Sequence, residues 1–143
     1  MSSLSDKEQD IIKQSIEWAE QATSGEIRVC VESKCDIDAY ERAVECFYDL
    51  KMDATKLRNG VLIYVALDDK KFAIIGDNGI NTLVGADFWD STKTLMLEQF
   101  KTGHIAEGIS LGIIEAGKQL KRYFPYSSDD VNELPDDIVF LNR

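Results

Sequence analysis

Glu26, Asp77, Asn78, Asp87 and Asp90 are the residues of this chain best suited to chemistry. Carboxylate and amide oxygens are what Ca²⁺ and Mg²⁺ prefer, since both are hard cations. Asp77-Asn78-Gly79 adds a glycine that permits a sharp turn and aims neighbouring oxygens inward. Asp87 and Asp90 are three residues apart, so on a helix they share one face. Arg58 supplies a group that could orient a phosphate while Asp77 or Glu26 activates water beside a bound cation. Each residue also has a plainer use. Asp87 can cap a helix, Asp77-Asn78-Gly79 can be an ordinary turn, and Glu26 can pair with Arg58 in a salt bridge. A second acidic group, Glu32, Asp68 and Asp69, is the rival site, because open α/β sheets usually bind ligands beyond the C-terminal ends of their parallel strands. Asp68-Asp69-Lys70-Lys71 reads instead as a self-neutralising hairpin turn.

Whether the first group can converge depends on the elements that carry it. Ser5-Asp6-Lys7-Glu8 is a capping box that opens a helix running to about Ala22, where Thr23-Ser24-Gly25 stops it. Glu26 to Glu32 alternates, with Ile27, Val29 and Val31 on one side, and predicts a strand more exposed at its two ends. Asp36 and Asp38 are candidate caps for a second helix, in which Ala39, Ala43, Phe47 and Leu50 repeat at helical spacing to Met52. Val61 to Leu67 is a continuous apolar run that suits a central strand covered on both faces. Phe72 to Gly76 returns antiparallel after the polar turn. Helices are then predicted over Asp87–Lys101 and Ile105–Tyr123, separated by Gly103. In the last of these, Gly108 and Gly112 share a face, which points to close approach to the sheet, since glycine costs a helix ~1 kcal/mol.

The order α-β-α-β-β-α-α predicts an α/β fold: a three-layer α/β/α sandwich with a mixed, mostly parallel sheet. One domain over residues 1–143 is expected, with a core sandwich to residue 123 and an acidic tail from 124 that docks through Ile138, Val139, Phe140 and Leu141. In that topology the start of the first strand, the start of the second and the end of the third lie at one end of the sheet. Glu26, Arg58, Asp77 and Asn78 meet there, with Asp87 and Asp90 close behind.

Composition narrows the function. The net charge is −10, from 26 acidic and 16 basic residues. Nucleic acid and anionic lipid bind chiefly through Lys and Arg, so both are excluded as expected partners. The N-terminus shows no signal peptide, and no apolar stretch approaches the ~20 residues that span a bilayer. Cys30, Cys35 and Cys46 form no C-x-x-C pair and are read as reduced thiols, which predicts a cytoplasmic protein. The one histidine, His104, has no ligand spacing around it and reads as a helix-start residue, so no zinc site is expected. No G-x-S-x-G, P-loop or H-E-x-x-H motif is present.

Taken in order, Gly25-Glu26-Ile27-Arg28-Val29, Arg58-Asn59-Gly60-Val61-Leu62-Ile63, Ala66-Leu67-Asp68-Asp69 and Phe72 through Ile80, followed by the glycine-punctuated last helix, resemble the TPM-domain family. The resemblance covers roughly residues 20 to 123. Phe124-Pro125-Tyr126 and Asn132-Glu133-Leu134-Pro135-Asp136 are similar to a short bacterial branch of it. The resemblance implies an α/β/α sandwich, a crevice that binds divalent cations, and an acid phosphatase activity described for a thylakoid-lumen member involved in photosystem II repair. Other members are exported or membrane-anchored modules with no established enzyme activity. This chain departs from them in lacking a signal peptide, an anchor and a low-complexity tail, which argues against a photosynthetic role. It also carries Glu26 and Asp77 where longer members often have uncharged residues, which favours cations.

Three functions follow. The first is a monomeric domain that binds Ca²⁺ or Mg²⁺ through Glu26, Asp77, Asn78, Asp87 and Asp90, with a regulatory or partner-linked role. The second is a metal-dependent phosphatase of phosphomonoesters that uses Arg58, Asp77 and Glu26. The third is a protein-interaction module that docks through the acidic strip from Asp129 to Asp137.

Overall fold

Ser5 and Glu8 form the capping box that the sequence predicts. The Glu8 amide donates to Ser5 Oγ at 3.1 Å and the Ser5 amide to Glu8 Oε1 at 2.9 Å. In the computed structural model, which describes residues 3–126, 134 and 137–141, this box opens helix α1 (Asp6–Ala22). Ile12, Ile16 and Ala19 form its buried face. Strand β1 (Glu26–Glu32), helix α2 (Ala39–Asp49), strand β2 (Gly60–Ala66) and strand β3 (Lys71–Gly76) follow. A short helix α3 (Asn78–Asn81), the helices α4 (Asp90–Lys101) and α5 (Ile105–Lys121), and a two-residue strand β4 (Val139–Phe140) complete the chain.

The strands form one sheet in the order β3-β2-β1-β4. The β1–β2 and β1–β4 pairs are parallel, and β2–β3 is antiparallel. Pleat parity divides the core into two. Ile27, Val29, Val31, Val61, Ile63, Val65 and Ile74 pack with Ile12, Ile16, Ile109 and Ile113 from α1 and α5, and α4 joins them through Met96. On the opposite face Cys30, Leu62, Tyr64, Ala66, Ala73 and Ile75 pack with Ala43, Cys46 and Phe47 of α2 and with Leu134. Helices on both faces of a mixed, mostly parallel sheet make this the three-layer α/β/α sandwich.

Several details differ from the sequence expectations. β1 is buried along its whole length, including both glutamates, because it is a central strand flanked by β2 and β4. Helix α2 ends at Asp49, since Lys51 takes a left-handed conformation and a 3₁₀ turn (Met52–Ala54) follows. Helix α4 begins at Asp90, not Asp87. The Asp90 amide bonds to Asp87 O and the Phe88 amide to Gly85 O, so tight turns precede the helix. Helix α5 ends at Lys121. Gly108 and Gly112 face α4 and not the sheet: a Cβ on Gly108 would lie 2.4 Å from Phe100 Cε1, and one on Gly112 2.5 Å from Met96 Sδ. The close approach is helix to helix. Among the described residues no helix is long and apolar enough to cross a membrane.

Candidate functional site

Register brings three strand termini together. Glu26 pairs with Gly60, the Glu26 amide donates to Asn59 O at 3.2 Å, and the Asp77 amide donates to Gly60 O at 2.9 Å. Adjacent residues across a sheet point to the same face. Glu26, Gly60 and Asp77 therefore present the same face, the one covered by α2.

Asp77 is buried and caps the short α3, accepting the Asn78 amide on Oδ1 at 2.7 Å. Arg58 holds the same carboxylate with both prongs of its fork, Nε to Oδ2 at 2.8 Å and Nη2 to Oδ1 at 3.0 Å. The pair is asymmetric: the Arg58 side chain is 41% exposed and that of Asp77 2%. The hydrogen bond to Asp77 pushes the Arg58 pKa further up. A second contact fixes the same corner. Arg58 has a left-handed backbone (φ 50°), and its carbonyl accepts the Gly79 amide at 2.8 Å. A Cβ at residue 79 would sit 2.1 Å from Leu57 O, so only glycine lets these two loops touch.

Glu26 takes a different partner. Its Oε1 accepts the backbone amide of Leu134 at 2.7 Å, 108 residues away in sequence. A Cβ on Gly60, between Glu26 and Asp77, would meet Met52 O at 3.0 Å and Leu134 Cδ1 at 3.7 Å. Met52 and Leu134 thus fill the space that separates the two carboxylates. The salt bridge that sequence alone draws between Glu26 and Arg58 is made by Asp77 instead. Asn78, Asp87 and Asp90 are exposed, Asp90 in the first turn of α4, where the helix dipole favours a carboxylate. The five candidate ligands are thus not one preassembled cage. Among the described residues no group of three or more His, Cys, Asp or Glu side chains is gathered closely enough to hold a metal ion.

The opposite end of the sheet is a structural knot. Glu32 has no exposed side-chain surface; Arg42 donates to it from Nε at 2.8 Å and from Nη2 at 3.2 Å, and the Tyr64 hydroxyl donates to its Oε2. Burial, then the hydrogen bond to Glu32, pushes the Tyr64 pKa well up. Asp69 accepts the Cys35 amide at 2.7 Å, and Lys71 Nζ donates to the carbonyls of Cys35 and Ile37 at 2.9 and 3.2 Å. Asp69 and Lys71 therefore staple the loop before α2, a use beyond closing a hairpin. All three cysteines are free and buried. Cys30 is hydrogen-bonded to Cys46; that bond, then burial, raises the Cys30 pKa, while the same bond lowers that of Cys46 against the effect of burial. Sequence reasoning missed Arg42 and Tyr64. Pleat parity alone hinted at Tyr64, since Cys30 pairs with Tyr64 and Glu32 lies diagonally on the same face.

A mixed four-stranded sheet sandwiched between α2 and the α1–α4–α5 layer, with a carboxylate–arginine pair at its end, defines a small α/β domain with a polar corner. The TPM domain profile matches residues 2–119, and the chain belongs to that family. It is 49% identical to the BA42 protein of the psychrophilic bacterium Bizionia argentinensis over 97% of this chain and 96% of that one, with a TM-score of 0.91 between the structures. The N-terminal domain of a P. gingivalis protein shares the fold, with a TM-score of 0.67 at 17% identity, over 86% of this chain and 80% of that one. No curated protein matches the sequence.

Proposed function

We propose that this TPM domain binds a divalent cation, Ca²⁺ or Mg²⁺, at the corner of the sheet where Asp77 and Arg58 meet. The observation that carries the reading is the asymmetry of that pair. A nearly buried carboxylate is held by a guanidinium that is 41% exposed. A cation takes the place of Arg58 on Asp77 as the arginine swings into solvent. Asn78, Asp87 and Asp90, all exposed nearby in sequence, complete an oxygen shell together with water. Glu26 belongs to the neighbouring contact with Leu134 and reports on the same end of the sheet. The net charge of −10 draws cations toward the domain and opposes nucleic acid.

The test is a Ca²⁺ and Mg²⁺ titration of metal-stripped protein, followed residue by residue through NMR amide shifts. Saturable shifts are expected at Asp77, Asn78, Asp87 and Asp90, with weaker ones at Glu26. Arg58→Ala removes the competitor and tightens binding, while Asp77→Ala abolishes it. Shifts centred on Glu32 and Asp68, or spread thinly over every acidic residue, would sink the site.

The same pair supports a second reading, a cation-dependent phosphatase. In it the exposed guanidinium of Arg58 orients a phosphomonoester and Asp77 activates water, while Glu26, held by the Leu134 amide, stands apart from the pair. It requires turnover that chelator and Arg58→Ala both remove; turnover surviving either treatment belongs to a contaminant.

A further inference from the structure

We infer that the apolar cavity beneath the β2–β3 hairpin binds a medium-chain carboxylate of the fatty-acid type. The cavity measures about 390 Å³ and lies at the opposite end of β2 from Arg58. This places it near the lower end of the ~300–1,000 Å³ range of small-molecule sites. Leu67, Phe72, Phe100 and Ile105 are among its apolar lining, and Phe72 and Phe100 brace each other edge to face, with ring centres 5.0 Å apart. The remaining side chains at the cavity decide the ligand class. Among the described residues Lys70, Lys71 and Lys101 line it and no carboxylate does, on a chain whose net charge is −10.

Lys71 Nζ is engaged by the carbonyls of Cys35 and Ile37 on the α2 side of the sheet, so the cations left to the cavity are Lys70 and Lys101. Both are exposed and take part in none of the ion pairs among the described residues. Uncompensated cations around an apolar cavity match a ligand with one anionic head and an aliphatic tail. A compact phosphate would leave the aromatic floor unused, and a neutral lipid would leave the lysines unused. This inference does not rest on cation binding at the other end of the sheet.

The test titrates the whole chain with hexanoate, octanoate and decanoate below their micelle-forming concentrations, read by NMR amide shifts. Saturable shifts are expected at Leu67, Phe72, Phe100 and Ile105. Affinity should rise about fourfold per added methylene, as burial of an aliphatic tail requires, until the cavity is full. Decanol and decyltrimethylammonium should bind at least tenfold more weakly than decanoate. Lys70→Glu with Lys101→Glu, both at exposed positions, should cost decanoate at least tenfold and leave decanol unchanged. The inference is overturned if no saturable shift appears in the wild-type chain, or if decanol binds as well as decanoate. It is equally overturned if a short peptide with an apolar C-terminal residue binds more tightly than decanoate.

Discussion

Glu32 is a carboxylate sealed inside the sandwich, so its partners carry a measurable load. Arg42, with a side chain 12% exposed, grips both oxygens, and Tyr64 donates to one of them. Removing one partner of a buried pair leaves an uncompensated charge, so Arg42→Ala should cost about 3–5 kcal/mol in urea unfolding. Replacing both members, Glu32→Met with Arg42→Leu, should be neutral or stabilising by about 1–4 kcal/mol. Equal losses in the single and double variants would show that the site contributes packing and not charge. Tyr64 adds a pH signature. Its folded pKa is raised by burial and by Glu32, so the folded chain keeps a proton that the unfolded chain releases above pH ~10. The stability this provides is complete below that pH and is lost as pH climbs through and beyond it. The stability gap between wild type and Tyr64→Phe, measured by urea unfolding from neutral pH to about pH 11, should therefore narrow at the alkaline end. A gap constant with pH would mean that the phenol ionises alike in both states.

At the scale of elements, the C-terminal segment is where packing and function compete. Residues 127–133, 135 and 136, most of the acidic strip read as a docking surface, lie outside the described residues. Leu134, within that stretch, and Ile138, just after it, are each 7% exposed; Leu134 packs over Gly60 and Ile138 joins the main core. β4 adds to β1, with Cys30 opposite Val139 and the Leu141 amide on Val31 O at 2.8 Å. Burying an aliphatic side chain is worth roughly 1.5–3 kcal/mol. A chain ending at Tyr126 should thus lose about 3–6 kcal/mol and expose Glu26, as thermal unfolding and amide exchange at β1 would report. An unchanged melting temperature would leave the tail free to act only as a docking strip. The elements also show what the sequence could reveal. β1, β2 and β3 were legible because Val and Ile alternate or run continuously between glycines and charged turns, and α1 because its capping box is local. The four-residue α3 and two-residue β4 carry too few side chains to set a period. The Arg58–Asp77 pair was invisible for another reason: Arg58 reaches Asp77 through a left-handed turn that needs Gly79 against Leu57 O, and no spacing rule encodes that contact. The convergence of Glu26 and Asp77 at one sheet end was legible from topology, but Leu134 between them was not, since it arrives from 108 residues away.

For the whole molecule, ten units of net negative charge repel one another, and any added salt relieves this by screening. Stabilisation by Ca²⁺ or Mg²⁺ is therefore informative only against NaCl at matched ionic strength. Screening acts on all 26 acidic residues and depends on ionic strength, whereas a site at Asp77 saturates and depends on cation identity. Binding to the folded state alone adds about 2.7 kcal/mol at a hundredfold excess over Kd. For a domain of this size that is roughly 5–10 °C in Tm. Thermal unfolding should show this increment for a divalent cation beyond NaCl, and Asp77→Ala should reduce the divalent curve to the NaCl curve while leaving the latter in place. Superimposable curves for the wild-type chain would assign its acidity to solubility and remove the cation from the corner beside Arg58. An increment that survives Asp77→Ala would place the cation elsewhere on the acidic surface.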